Sequence, residues 1–461
     1  MKQRILALLL AAALPLSLLS SAALAAGGDV SAPDSSAGQT EENQSPETGD
    51  AAPEGDTAVP ERESDETEAP VPDEDAPENG EDESPVEEYI PDPAGAVTFQ
   101  HLDRRIREGN LQIRSIQENV DILEEIDYDK LKEDLRLQLN QLAQAQWMMV
   151  QFGQSGTLAY ERMDQAYDAV REQFDAIKDG DMQADNAETI RQLQNLQNQI
   201  VMAGEATYIA LAAMENQETG LERQLAALDR ALEELQLRYK LGHISSLTLH
   251  EAQAGRAALN SGLSTLRMNL NTYKGQLELL IGAEITGEIS MSPLPTVTQE
   301  ELDSMNLEQD LETAKENSWD LYQATETMKE ERKKYYNVGG DAASDFQKKT
   351  ENYKRVKHTC MAAKYTYDNT VRNFELGLRN LYLKVRDYQQ VLAAARTTLA
   401  VKRDSYAAAQ LKYQQGAISA NALLEAEDDL KEARETVAGA ENDLFSSYNT
   451  YRWAVDYGII N

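Results

Sequence analysis

Cysteine is almost missing from this chain of 461 residues: Cys360 stands alone, so no intrachain disulfide can form and stability must come from packing or assembly. A single thiol inside a helical run reads first as a small buried apolar residue and second as a reactive group. Proline is confined. Eleven of the thirteen prolines precede Phe99, and the remaining two, Pro293 and Pro295, share one connector. Long apolar runs are absent after the first few dozen residues, so no later segment reaches the roughly 18 apolar residues that a membrane-spanning helix needs. Basic charge is scarce as well. There are 43 Lys and Arg against 80 Asp and Glu, a net charge of −37, and that sign repels the phosphates of nucleic acid.

The chain begins with a secretory pattern. Lys2 and Arg4 give a positive start, Ile5 to Leu19 form an apolar core, and Ala23-Leu24-Ala25 fit a cleavage site just before Ala26. An uncleaved N-terminal anchor is the alternative, though the apolar run is short and followed at once by small and polar residues. No cysteine lies near the cleavage site, which excludes a lipoprotein route. Gly27 to Thr98 carries about two dozen acidic residues against the single base Arg62, with proline throughout. Such a stretch buries no core, and like charges push it open. Residues 1–25 thus read as a signal peptide and 26–97 as a disordered acidic linker. Calcium or a basic partner is the functional alternative for the linker; a solvated spacer is the plain one.

From Phe99 onward Ala, Leu, Gln, Glu, Lys and Arg dominate, a helix-forming composition. Leu423, Ala426, Leu430, Ala433, Val437, Ala440 and Leu444 alternate spacings of three and four. Leu378 to Tyr406 keep nearly the same rhythm, interrupted by Lys402, and Leu259 to Leu280 repeat it in the first half. That spacing draws one narrow apolar stripe along each helix, the seam of a coiled coil. Breaks fall at Gly109-Asn110, at Gly153 to Gly156, at Asp179-Gly180-Asp181 and at Asn337 to Gly340. Read as interruptions of long arms, the later ones leave a helix from about 343 to 415, which if continuous would be about 100 Å long. Residues 283 to 298 form an extended connector, with Thr298 capping the next helix and Glu301 three residues on.

The chain repeats itself. Arg238-Tyr239-Lys240-Leu241-Gly242-His243-Ile244-Ser245 returns as Lys412-Tyr413-Gln414-Gln415-Gly416-Ala417-Ile418-Ser419, and both copies run on into Leu249…Glu251-Ala252 and Leu423…Glu425-Ala426. Gly242 and Gly416 end one helix in a conformation other residues avoid, and Ser245 and Ser419 cap the next. Each repeat is therefore an antiparallel helical hairpin with its tip at that glycine. The starts correspond too, Asn110-Leu111 with Asn317-Ser318-Trp319, and the first ascending arm is longer by roughly thirty residues. The fold class is all-α: a first hairpin repeat at 98–282, the connector at 283–298 and a second repeat at 299–461.

These residues resemble a known family. Tyr-x-x-Gly-x-Ile-Ser followed by Leu-x-Glu-Ala is similar to the periplasmic turn of TolC-type outer-membrane efflux proteins, and Phe99 to Val120 is similar to that family's domain opening. The resemblance implies a homotrimer whose six hairpins enclose a helical tunnel. Its tips would meet an adaptor protein attached to an inner-membrane or ABC-type pump. On that carry-over the partner-binding residues are Tyr239, Gly242, Ile244 and Ser245, with Tyr413, Gly416, Ile418 and Ser419. Two departures stand out. The family carries paired membrane strands in each ascending arm, needing about 9–11 residues of alternating polarity each, and neither Gly153–Gly156 nor Asn337–Gly340 offers such a run. Where the family often has Asp six positions after the tip glycine, this chain has Thr248 and Ala422. The resemblance implies the outer membrane, but the missing strands and the Pro-rich acidic linker suggest an exported, wall-associated relative without a β-barrel, and the missing Asp leaves a carboxylate gate at that position without support.

Catalytic patterns fail one by one. His250-Glu251 opens like a zinc-protease helix, but position 254 is Ala. His243 and His250 are not repeated at the second tip, where Ala417 and Leu424 stand. No strand precedes a glycine-rich phosphate loop, and the carboxylates spread over solvated helix faces. Trp319, Tyr388, Tyr406 and Trp453 sit at seam or helix-end positions that suit core packing. The expectation is a non-enzymatic transport component with no cofactor or metal; a secreted coiled-coil scaffold or envelope spacer is the alternative.

Overall fold

The seams read from the sequence are where the chain buries its apolar side chains. The computed structural model describes residues 92, 93 and 95–460; the export signal and the acidic stretch as far as residue 91 lie outside the described residues. In the first half α1 (Phe99–Gly109), α2 (Leu111–Glu124), α3 (Tyr128–Gln151), α4 (Leu158–Lys178), α5 (Asp181–Lys240) and α6 (Ser246–Leu280) follow one another. In the second come α7 (Gln299–Ser304), α8 (Leu307–Asn317), α9 (Trp319–Asn337), α10 (Asp345–Lys349), α11 (Glu351–Gln414) and α12 (Ala420–Tyr457). Leu263, Leu266, Leu270 and Leu277 of α6 are buried, as are Leu378, Val385, Leu392 and Ala395 of α11 and Leu430 to Leu444 of α12 at seam spacing. The 60 residues of α5 and 64 of α11 each rise about 90 Å or more at 1.5 Å per residue. A helix that long packs only if a neighbour runs beside it, and α6 and α12 do.

Two of the breaks are not interruptions of an arm; they are reversals. Partners across the first straddle Gly153–Gly156: Gln146 donates to Asp164 at 3.1 Å, Asn186 to the Tyr128 hydroxyl at 2.7 Å, and Gln197 to Gln117 at 3.1 Å. Thus α2–α3 run antiparallel to α4–α5. Across the second, Tyr335 and Tyr353 meet at 5.9 Å between ring centroids and Lys315 pairs with Glu375, so α9 runs antiparallel to α11. The expected helix over 343–415 is correspondingly broken at Thr350, which caps α11 through the Tyr353 amide. The cause is glycine. Gly339 and Gly340 both take positive φ, which ends α9 and turns the chain. Both arms of the first reversal are also interrupted, at 125–127 between α2 and α3 and at Gly180 between α4 and α5.

The reading of an all-helical chain needs one small amendment. β1 (Ala96–Val97) pairs in parallel with β2 (Ser290–Met291) of the connector, through Ser290 N to Gly95 O at 2.9 Å and Ser292 N to Val97 O at 3.1 Å. Residues 92, 93 and 95–97, assigned to the linker from composition, therefore sit on the folded body. Asp92 holds them there, accepting from the Thr98 amide and hydroxyl and from Arg105. Burial pushes its carboxyl up, but these hydrogen bonds with that of His101 outweigh it and leave it below the usual range. Tyr208 of α5 places its hydroxyl 2.6 Å from Ser292 O and 3.0 Å from Val97 O.

The repeat reaches further than its tips. After α6, Gly282 has φ +67 and a Cβ there would lie 2.1 Å from the carbonyl oxygen of Gly109; after α12, Gly458 has φ +64 and its Cβ would lie 2.3 Å from Cα of Ser318. Asn110 donates to Leu280 O at 3.0 Å, and Asn317 donates to Asp456 O at 3.0 Å. In each repeat the last helix thus ends against a joint near the start, between α1 and α2 in the first and between α8 and α9 in the second. Gly282→Ala and Gly458→Ala should each lower stability by at least about 2 kcal/mol, combining left-handed strain with a backbone clash, measured by urea unfolding followed by circular dichroism.

Glu205 links the two halves. Its carboxylate, buried on α5, accepts from Trp453 Nε1 at 2.6 Å and Asn449 Nδ2 at 2.8 Å, both on α12. Burial raises its pKa above the usual carboxylate value, only partly offset by those donors. Because the folded value is the higher one, Glu205 costs stability as pH rises from the unfolded carboxylate pKa through the folded one. Glu205→Gln should therefore gain in melting temperature relative to the wild type as pH rises through that window, and the gain should vanish below it.

Candidate docking site at the hairpin tips

Gly242 and Gly416 sit at true reversals. Around Gly242, Asp229 pairs with Arg256, Glu218 with Arg267 and Glu215 with Lys274. Around Gly416, Glu441 pairs with Arg396 and Asp429 with Lys402. The two turns have one geometry. Gly242 and Gly416 take φ +76 and +70. Gly242 N donates to Tyr239 O at 2.9 Å and His243 N to Arg238 O at 2.8 Å; Gly416 N donates to Tyr413 O at 2.9 Å and Ala417 N to Lys412 O at 2.8 Å. This is the Schellman closure, which satisfies the last carbonyls of a helix with the amides beyond it. Ser245 Oγ then accepts from Thr248 N, and Ser419 Oγ from Ala422 N, both at 3.2 Å, opening α6 and α12.

The side chains fall into two groups. Tyr239 and Tyr413 are each 44 % exposed, one turn before the glycine on matching faces. Ile244 and Ile418 are half-buried under the turn. Leu241 and Leu247 at the first tip and Leu411 at the second stay exposed. No atom lies within 4 Å of a Cβ built on either glycine, so the turns present open backbone to an incoming surface.

Contacts between the repeats hold the tips together. Along α5 and α12, Arg223 grips Glu435 at 3.0 Å, Arg230 pairs with Asp428, and Asn421 reaches Glu234 at 3.4 Å. The helices run antiparallel with Asn421 opposite Glu234, which sets Gly242 and Gly416 level to within about one helical turn. Part-exposed pairs of this sort contribute about 0–1 kcal/mol apiece; their effect here is register. Sequence reasoning passed over Arg223, Arg230, Asp428 and Glu435 because acidic residues crowd every helix face. The available signal was two arginines seven apart on α5 facing two acids seven apart on α12.

Thr248 and Ala422 bring no carboxylate to the first turn of either returning helix, as read from the sequence. His243 and His250 remain exposed on the first tip. Cys360 is half-buried and packs beside the Tyr335, Ala343 and Tyr353 cluster, and Trp319 and Trp453 are buried. Among the described residues no group of His, Cys, Asp or Glu could hold a metal ion, and no helix is long and apolar enough to cross a membrane.

The solved structures to which this chain is similar include outer-membrane channels. The outer-membrane channel OprN shares 15% identity over 78% of this chain and 90% of its own, at a TM-score of 0.47. CusC shares 13% over 78% and 96%, at 0.46, and the MtrE outer membrane channel of Neisseria gonorrhoeae shares 13% over 78% and 89%, at 0.41. No protein-family model matches the chain, and neither does any curated protein.

Because the tip glycines have positive φ and empty surroundings, Gly242→Ala and Gly416→Ala should each cost only about 1 kcal/mol and add in the double variant. Urea unfolding should show a smaller loss than for Gly282→Ala or Gly458→Ala.

Proposed function

We propose that this chain is the extracytoplasmic, TolC-like component of an efflux or export system. Copies of the chain, three by the family resemblance, align their hairpins into a helical conduit. The paired tips dock the helical hairpin of a periplasmic-adaptor-like protein coupled to an inner-membrane, ABC-type pump. The observation that carries this reading is the pairing of two identical turns at one level. Tyr239 and Tyr413 stand beside open glycine backbone, giving a partner helix an aromatic surface and close approach twice over. Met268, Leu376, Leu383 and Val401 lie exposed on long helices, apolar surface that lateral assembly would cover.

The mechanism is assembly, with no covalent step. Each hairpin buries its seam against itself, and its remaining apolar face against a neighbour closes the wall. Tyr239, Gly242, Ile244 and Ser245, with Tyr413, Gly416, Ile418 and Ser419, form the recognition surface; the isoleucines and serines fix the turn while the tyrosines and glycines meet the partner.

A second reading is a non-conducting scaffold or spacer in the cell envelope. One observation favours it. At the end opposite the tips both repeats close by helical turns, at Gly153–Gly156 and at Gly339–Thr350, where the family resemblance would put membrane strands. On either reading the protein is exported and acts in the envelope.

Gly416→Asp should weaken binding to a periplasmic-adaptor-like protein at least about tenfold while circular dichroism stays helical, since a charge on the turn blocks close approach. Unchanged affinity would remove the docking role. Sedimentation of the whole chain should give a trimer; a monomer would leave the spacer reading.

A further inference from the structure

The turn joining α9 to α11 is a basic island on an acidic protein. Between Arg332 and Lys357 stand eight Lys or Arg against three Asp or Glu, a net of +5 in a chain whose total is −37. All eight are exposed, and the reversal gathers them from the end of α9, from α10 and from the first two turns of α11. Lys334 pairs with Glu331 and Lys354 with Glu351. Lys333, Lys348, Lys349 and Lys357 form no ion pair among the described residues. An open groove of about 410 Å³ runs between Tyr335, Tyr353, Lys348, Lys354 and Lys357.

The island is tied down by hydrogen bonds and carries apolar rings at its rim. Tyr335 donates to Asp341 at 2.8 Å and Tyr353 to Gly340 O at 3.3 Å, while Ser344 and Gln347 close a capping box on α10. On this fixed platform Phe346 is 79 % exposed and Tyr336 is 51 % exposed, the latter with the Arg332 guanidinium 5.6 Å from its ring centre.

We propose that this turn seats on a membrane surface bearing anionic phospholipid headgroups. The lysines supply charge attraction, and Phe346 and Tyr336 enter the headgroup and acyl boundary where amphipathic rings settle. Charge complementarity selects the occupant, because the turn carries a net +5 on a chain of −37 and an anionic surface meets those charges within a Debye length of about 8–10 Å. The exposed Phe346 separates a bilayer from a soluble polyanion, which offers no apolar phase for the ring. The other reversal shows the contrast: residues 137–160 contain no charge at all, and its exposed Trp147 and Phe152 have nothing beside them to choose a partner. The inference stands whether or not the tips dock an adaptor.

The test is co-sedimentation of the whole chain with vesicles of phosphatidylcholine alone or with about one third phosphatidylglycerol. The protein should partition onto the anionic vesicles and leave them as salt is raised. Lys348→Glu with Lys349→Glu should cut that partitioning at least about tenfold, at roughly fivefold per basic residue, and Arg355→Glu with Lys357→Glu should do the same. Phe346→Ser should weaken binding without changing its salt dependence. Lys240→Glu with Lys412→Glu, the same charge change at the tips, should leave it intact. Equal binding to both vesicle types, equal loss from the tip variant, or binding to soluble polyphosphate that the anionic vesicles do not match would overturn the proposal.

Discussion

Two antiparallel helices can bury one narrow stripe each, where Leu and Ala interlock, and must leave their other faces to water or to a further helix. Every long element here obeys that limit. Leu263 to Leu277, Leu378 to Ala395 and Leu430 to Leu444 are spent on the seam within a hairpin. The contact between hairpins is left to a second, more polar set led by Glu205, Arg223, Arg230, Asp428 and Glu435. Those polar contacts fix register, beside apolar ones near the base such as Phe99 on Phe445 at 4.8 Å between ring centroids and Trp453 in the core of the first repeat. The division explains why the molecule keeps exposed Leu, Val and Met along its length: a structure one helix pair thick has no interior in which to hide them.

Glycine does two different jobs along this frame. At Gly242 and Gly416 it supplies a left-handed residue with empty space around it, so the turn is defined by its own backbone and remains accessible. At Gly282 and Gly458 it supplies the same φ, but beside backbone that any Cβ would strike. The tips are surfaces and the joints are clamps, although the local conformation is nearly the same. Asn110 and Asn317 complete the clamps by bonding the end of the returning helix, which ties the start of each repeat to its finish.

Much of this was legible in the residues. The three-and-four rhythm gave the seams, and the repeated Tyr-x-x-Gly-x-Ile-Ser gave both tips, because turn chemistry and packing periodicity are local properties. What was not legible depended on direction. Gly153–Gly156 and Asn337–Gly340 were visible as breaks, yet nothing local distinguishes a kink from a reversal; that is decided by which distant helix lies alongside, as Tyr128 does with Asn186. The parallel pairing of Ala96–Val97 with Ser290–Met291 was hidden for the same reason, being two residues long and 194 apart in sequence. Asp92 escaped because one buried acid looks like its two dozen neighbours until Thr98 and Arg105 are seen around it. Of the site, the turn residues were plain and the ion pairs that align the two turns were not.

The two repeats are unequal at the end away from the tips. From Asn110 the first climbs through the 14 residues of α2 and the 24 of α3 before turning, whereas from Ser318 the second climbs through only the 19 of α9. The difference corresponds to about 28 Å of helix. A closed ring of such chains would therefore finish in alternating tall and short posts, with slots between the tall ones.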